Sequence, residues 1–172
     1  MTWKLVTDSD LCHLNVPQRF FAYARAYRDA AAGLSDLMTK SPEHYTWPHG
    51  AVVLMLSAHS VELFLKGALW TQSSPDEIEH HRIEDLAQKF KERFPGPDFE
   101  WEIPFKTEYA GLNETEVAAL KKTAPVPSIL YRFPVGKGGS EWRGAYGFEA
   151  NSFVAVLEEL RTTYARLESH LA

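Results

Sequence analysis

At 172 residues, with 45% hydrophobic and 24% charged residues, the chain has the size and balance of one globular domain with a real core. A net charge of -5 excludes indiscriminate nucleic-acid binding, which needs a basic field. The lone cysteine, Cys12, rules out an intramolecular disulfide and a cysteine-based zinc site, and fits a reducing cytoplasm, the expected location.

The opening segment has no basic stretch followed by an apolar one, so no secretory signal is expected; residues 1–16 read as an irregular lead-in. Pro17 suits a first helical turn, and a helix is expected from about Pro17 to Thr39. Its apolar positions Phe20, Ala24, Tyr27, Ala31, Leu34 and Met38 step alternately by four and three, the spacing of a bundle seam. Ser41, Pro42 and Trp47, Pro48 bracket a loop, and a central helix is expected from about Pro48 to Thr71.

The stretch from Ala51 to Trp70 is the most apolar in the chain. It is too long for a strand, and no Gly or Pro interrupts it before Gly67. A helix apolar on nearly all sides belongs in the middle of a bundle. Glu62 and Lys66 near its middle would be costly at the centre of a bilayer, so a buried helix is expected and no membrane. His59, Glu62 and Lys66, three and four residues apart, share one stripe. An exposed Glu62–Lys66 pair would contribute only about 0.3–0.5 kcal/mol, whereas an unpaired charge in the core would cost several. The stripe therefore either surfaces in a cleft, where His59 would handle a proton and Lys66 an anion, or is satisfied from elsewhere, with Arg161, Tyr131 and Arg132 as suppliers.

Ser74, Pro75 and Glu77 form a helix start, followed either by one helix to Arg93 or by a turn and a second helix from about Arg82. His80 and His81 lack metal-ligand spacing; they read as capping or surface residues, His81 against the helix backbone, and no metal or cofactor is expected. Residues 98–135 change texture. Phe99, Trp101, Ile103 and Phe105 alternate with polar residues or Pro, as do Ile129, Tyr131, Phe133 and Val135. They suggest a small extended or β insertion, with Pro104 and Pro134 favouring edges. Between them Asn113 and Glu116 cap a short helix. Arg132, Lys137 and Arg143, with Tyr131 and Trp142 interleaved, make the one basic, glycine-bearing stretch, suited to stacking bases and holding phosphates. It is no Walker loop, and no Gly-x-Ser-x-Gly nucleophile motif occurs. A last helix from about Glu149 carries Ala150, Phe153, Leu157, Leu160, Tyr164, Leu167 and Leu171 as a heptad-like seam.

Three phrases in this order look familiar. SAHSVELFLKGALW (Ser57 to Trp70) resembles the second helix of HEPN-type domains. HRIEDLAQKF (His81 to Phe90) resembles the segment that follows it, and LYRFPV (Leu130 to Val135) the phrase before the last helix. The resemblance, over roughly 17–170, implies an all-α, up-and-down helical bundle across the single domain 1–172, which often dimerises. It also implies a setting in stress or defence systems, where many members are metal-independent ribonucleases. Those nucleases carry a closely spaced Arg–His motif near the start of the last helix. Here Arg132 is followed by Gly136, Lys137, Gly138 and Gly139, and Arg161 and Arg166 precede His170 at other spacings. The motif is absent, so the expected function is a non-catalytic binding or assembly module, a homodimer with possible RNA, nucleotide or protein partners. Were it an enzyme, it would be an atypical ribonuclease drawing on His59, Glu62, Arg132, Arg161 and His170. The third reading is a nucleotide or small-anion binder using Lys66, Tyr131, Arg132, Lys137, Trp142 and Arg143.

Overall fold

The computed structural model describes residues 5–72, 81–106, 111–140 and 147–171. The chain is mostly helical: α1 (Val16–Lys40), α2 (Trp47–Trp70), α3 (Ile83–Arg93), α4 (Glu114–Thr123), the single turn α5 (Pro127–Leu130) and α6 (Ala150–Leu171). Helix α1 starts at a capping box, in which the Asn15 and Gln18 side chains each accept from the other's backbone amide, with Pro17 in the first turn. Helix α6 starts under the Glu149 carboxylate, which accepts from the amides of Asn151 and Ser152. These bonds hold the Glu149 carboxyl at about 2, well below the usual carboxylate range.

Helix α2 is the rod around which α1, α3 and α6 pack. Val53, Ala58, Val61, Phe64, Leu65 and Ala68 are almost wholly buried. By length and composition α2 would also cross a membrane, but 72% of its most apolar window is buried against the neighbouring helices. Contacts fix the directions. Ser60 of α2 donates to the Ala24 carbonyl of α1 (2.7 Å), and Phe21 meets Phe64 (ring centroids 5.1 Å apart), so α1 and α2 are antiparallel. Ser35 donates to the Ala150 carbonyl, and Arg25 pairs with Glu168, so α1 and α6 are antiparallel too. Two glycines permit close approach: a Cβ on Gly67 would lie 2.7 Å from the Phe21 ring, and one on Gly50 2.9 Å from that of Phe148. At the centre the Tyr164 ring lies flat on Phe64 (4.1 Å, 5°) and edge-on to Trp101 (6.0 Å, 90°). Burial pushes the Tyr164 hydroxyl well above its ordinary pKa, and that group bonds Ser60 at 3.0 Å.

The inner seam of α1 keeps three of its expected positions, Ala24, Ala31 and Met38, and differs at the other three. The buried residues are Phe21, Ala24, Arg28, Ala31, Ser35 and Met38, while Phe20, Tyr27 and Leu34 are only half-buried. Arg28 earns its inner position by placing its guanidinium 6.0 Å from the Tyr164 ring centre and bonding Asp29. For α3, the shorter alternative holds: the helix begins at Ile83, and the Ser74 start lies outside the described residues.

The β character expected for 98–135 is not present: among the described residues there is no strand. Pro127 opens the helical turn that contains Ile129, so the second alternating stretch is not extended at its start. Residues 101–103 make no backbone hydrogen bond within the described chain, and Pro104 lacks the amide that a ladder would need. Helix α4 has the expected Asn113–Glu116 capping box, yet buries no residue. Polar contacts hold it instead: Arg82 donates to the carbonyls of Lys121 and Ala124 at its C-terminus, and Lys121 pairs with Asp85. A helix this short is marginal alone. Arg82→Ala should therefore weaken α4 locally by about 1.5–3 kcal/mol. Amide exchange across 114–123 should speed at least about tenfold while that of α2 stays unchanged.

Candidate functional site

The polar stripe of α2 closes on itself. The Glu62 side chain is 4% exposed and that of Lys66 10%, and they pair at 2.9 Å across one helical turn. The same carboxylate oxygen, Oε1, accepts from Nδ1 of His81, which enters from the segment leading into α3, at 2.8 Å. Nζ of Lys66 lies 3.4 Å from that nitrogen. On the other side Oε2 faces Nδ1 of His59 at 3.6 Å, and the His59 ring stands edge-on to Tyr27 (4.6 Å).

Burial alone pushes the Glu62 carboxyl up. The hydrogen bonds and positive charge supplied by His59, Lys66 and His81 outweigh it and hold the group down at about 2. Glu62 is thus a committed carboxylate at neutral pH and too weak a base for proton abstraction there. It orients two imidazoles and neutralises one lysine, as a register-fixing polar network does.

The suppliers expected for this stripe are elsewhere engaged. Arg161 faces outward on α6 and pairs with Glu158 at 2.8 Å. Arg132 is exposed with its guanidinium 5.4 Å from the Phe133 ring centre, and Tyr131 is half-buried beside it. His170 stands exposed at the end of α6, its ring 5.9 Å from that of Phe99. None of these bonds Glu62, Lys66 or His59. The partner is His81, which meets a carboxylate and not the helix backbone expected for it. Only the position of α3 against α2 brings it there, and no spacing in the sequence encodes that.

Of the basic stretch, Trp142 and Arg143 lie outside the described residues, as does the side chain of Lys137, whose backbone forms a turn with Gly138 and Gly139 at positive φ. The structure thus brings Lys66 together with His59 and Glu62, but not with Tyr131 or Arg132. Among the described residues no group of three His, Cys, Asp or Glu side chains converges to hold a metal ion.

Compared with known proteins, the chain matches no family model, no curated protein and no solved structure.

Proposed function

We propose that the chain is a non-catalytic helical binding and assembly module, HEPN-like in plan, which pairs with a second copy and acts as an accessory in a nucleic-acid-linked stress or defence system. The pairing is supported above all by a second seam on α1, turned away from the core. Val16, Tyr23 and Leu37 are spaced by seven and fourteen residues, with Ala30 between, and are 40–50% exposed. Phe20, Tyr27 and Leu34 alternate with them and are half-buried, Phe20 against Trp70 and Tyr27 against His59 of α2. The row Val16, Phe20, Tyr23, Tyr27, Ala30, Leu34, Leu37 steps by four and three without a charged residue. That is the repeat with which one helix seats against another. Helix α2 extends the apolar face with exposed Val52 and half-buried Leu63, and Leu63 shares a groove of about 260 Å³ with Val16, Arg19, Phe20 and Tyr23.

The absence of catalysis is supported by the engaged state of Glu62 and by the separation of His170, Arg132 and Arg161 from it. A labelled RNA panel tests this directly. The purified chain should leave it intact, and nucleotides should not raise its melting temperature. Cleavage that disappears in a folded His59→Ala variant would establish the ribonuclease reading instead. Nucleotide stabilisation removed by Arg132→Ala would establish nucleotide binding.

A further inference from the structure

The two ends of α1 differ on its outer face, one being hollow and the other raised. At the N-terminal end Val16, Arg19, Phe20 and Tyr23 line a groove of about 260 Å³ with Leu63 of α2. All of these but Arg19 are apolar or aromatic. Arg19 is exposed and donates from Nε to the Leu14 carbonyl at 3.1 Å, and among the described residues no carboxylate pairs with its guanidinium. The groove therefore suits an apolar side chain that has a carboxylate beside it.

The C-terminal end of the same helix offers that combination. Leu37 is 40% exposed and follows Asp36, whose Oδ2 pairs at 2.6 Å with Lys40 on the same helix. Both side chains of that pair are well exposed, which makes it weak, and Oδ1 of Asp36 has no partner among the described residues. Leu37 cannot fill the groove of its own chain, because 18 residues of helix put it about 27 Å from Arg19. Between the two ends the exposed row Tyr23, Ala26, Ala30, Gly33, Leu37 is small at its three middle positions, so a second helix can come close there.

We infer that the groove is filled by Leu37 of a second copy of this chain, with the two α1 helices antiparallel and Asp36 of each copy meeting Arg19 of the other. The inference rests on the pairing proposed above and adds the occupant of the groove and the register. A two-fold axis then makes both groove contacts and both ion pairs at once, as a self-complementary surface requires. The parallel arrangement would lay groove on groove, leave both unfilled and bring Arg19 of one copy beside Arg19 of the other.

The test is a charge swap read by sedimentation velocity over a dilution series. Arg19→Asp and Asp36→Arg, both at exposed sites, should each weaken pairing at least about tenfold with helical dichroism unchanged, and the combined variant should return to within about threefold of the wild type. A short bis-maleimide supplies a second readout. It should give no covalent dimer of Cys12→Ser/Lys40→Cys, because the two copies of position 40 lie at opposite ends of an antiparallel pair. Single variants that pair as the wild type does, a combined variant no better than either single one, or a covalent dimer through position 40 would overturn this register while leaving the pairing itself standing. A wild type that is monomeric at every concentration would overturn both.

Discussion

Glu62→Ala should destabilise the fold by about 3–5 kcal/mol, because it strands the Lys66 ammonium in the core with no counter-charge. The Lys66 side chain is only 10% exposed, and among the described residues its one carboxylate partner is Glu62. Urea denaturation of the wild type and variant at neutral pH measures the difference. The loss belongs to the broken pair, so Glu62→Leu combined with Lys66→Met should recover most of it. A pH series adds a signed test. The Glu62 carboxyl sits at about 2 in the fold against 4.5 as its ordinary value. A depressed carboxyl stabilises the native state fully above the unfolded value and loses that contribution as pH falls through the folded one. The stability gap between wild type and Glu62→Gln should therefore be flat above about pH 4.5 and narrow steadily toward pH 2. A gap that widens on acidification would show that the carboxylate is not held by Lys66 and the hydrogen bonds around it.

Phe64→Ala is the second large effect, with an expected loss of about 3–5 kcal/mol. Phe64 has no exposed surface, lies flat on Tyr164, and touches Phe21 and Trp101 edge or tilt-wise within 6 Å. Removing it opens a void where three helices and the 99–103 segment meet, and rigid neighbours refill such a void only partly. The measurement is again urea denaturation, with near-ultraviolet dichroism reporting the loosened Trp101 and Tyr164. Phe153→Ala, a half-buried ring at the rim of the core, should cost clearly less.

How much of this was legible in the sequence follows from what each signal depends on. The existence and approximate span of α1, α2 and α6 rest on local period and caps. The structure places them within a residue or so of the expected bounds, Val16–Lys40, Trp47–Trp70 and Ala150–Leu171. The seam of α6 was legible because its inward positions are nearly all apolar. That of α1 was legible only at Ala24, Ala31 and Met38, because the helix carries two stripes. Its inward one contains Arg28 and Ser35, whose polar groups find Asp29, the Tyr164 ring and the Ala150 carbonyl. Apolar counting alone follows Phe20, Tyr27 and Leu34 instead. The alternation at Trp101 and Ile103 is matched by their burial against exposed Glu100 and Glu102, but pairing requires a second strand, and Ile129 went into a helical turn. The stripe of His59, Glu62 and Lys66 was visible as a stripe. Its closure by His81 depends on a contact between α2 and the entry to α3, nineteen positions apart in sequence.

The outer seam of α1 is tested most directly by the mass of the chain in solution. Light scattering at micromolar concentration should give twice 19.5 kDa for the wild type and the monomer mass for the double variant Tyr23→Lys/Leu37→Lys, with unchanged helical dichroism. A wild type that stays monomeric at every concentration, or a double variant that still pairs, would contradict the assembly we assign to this face.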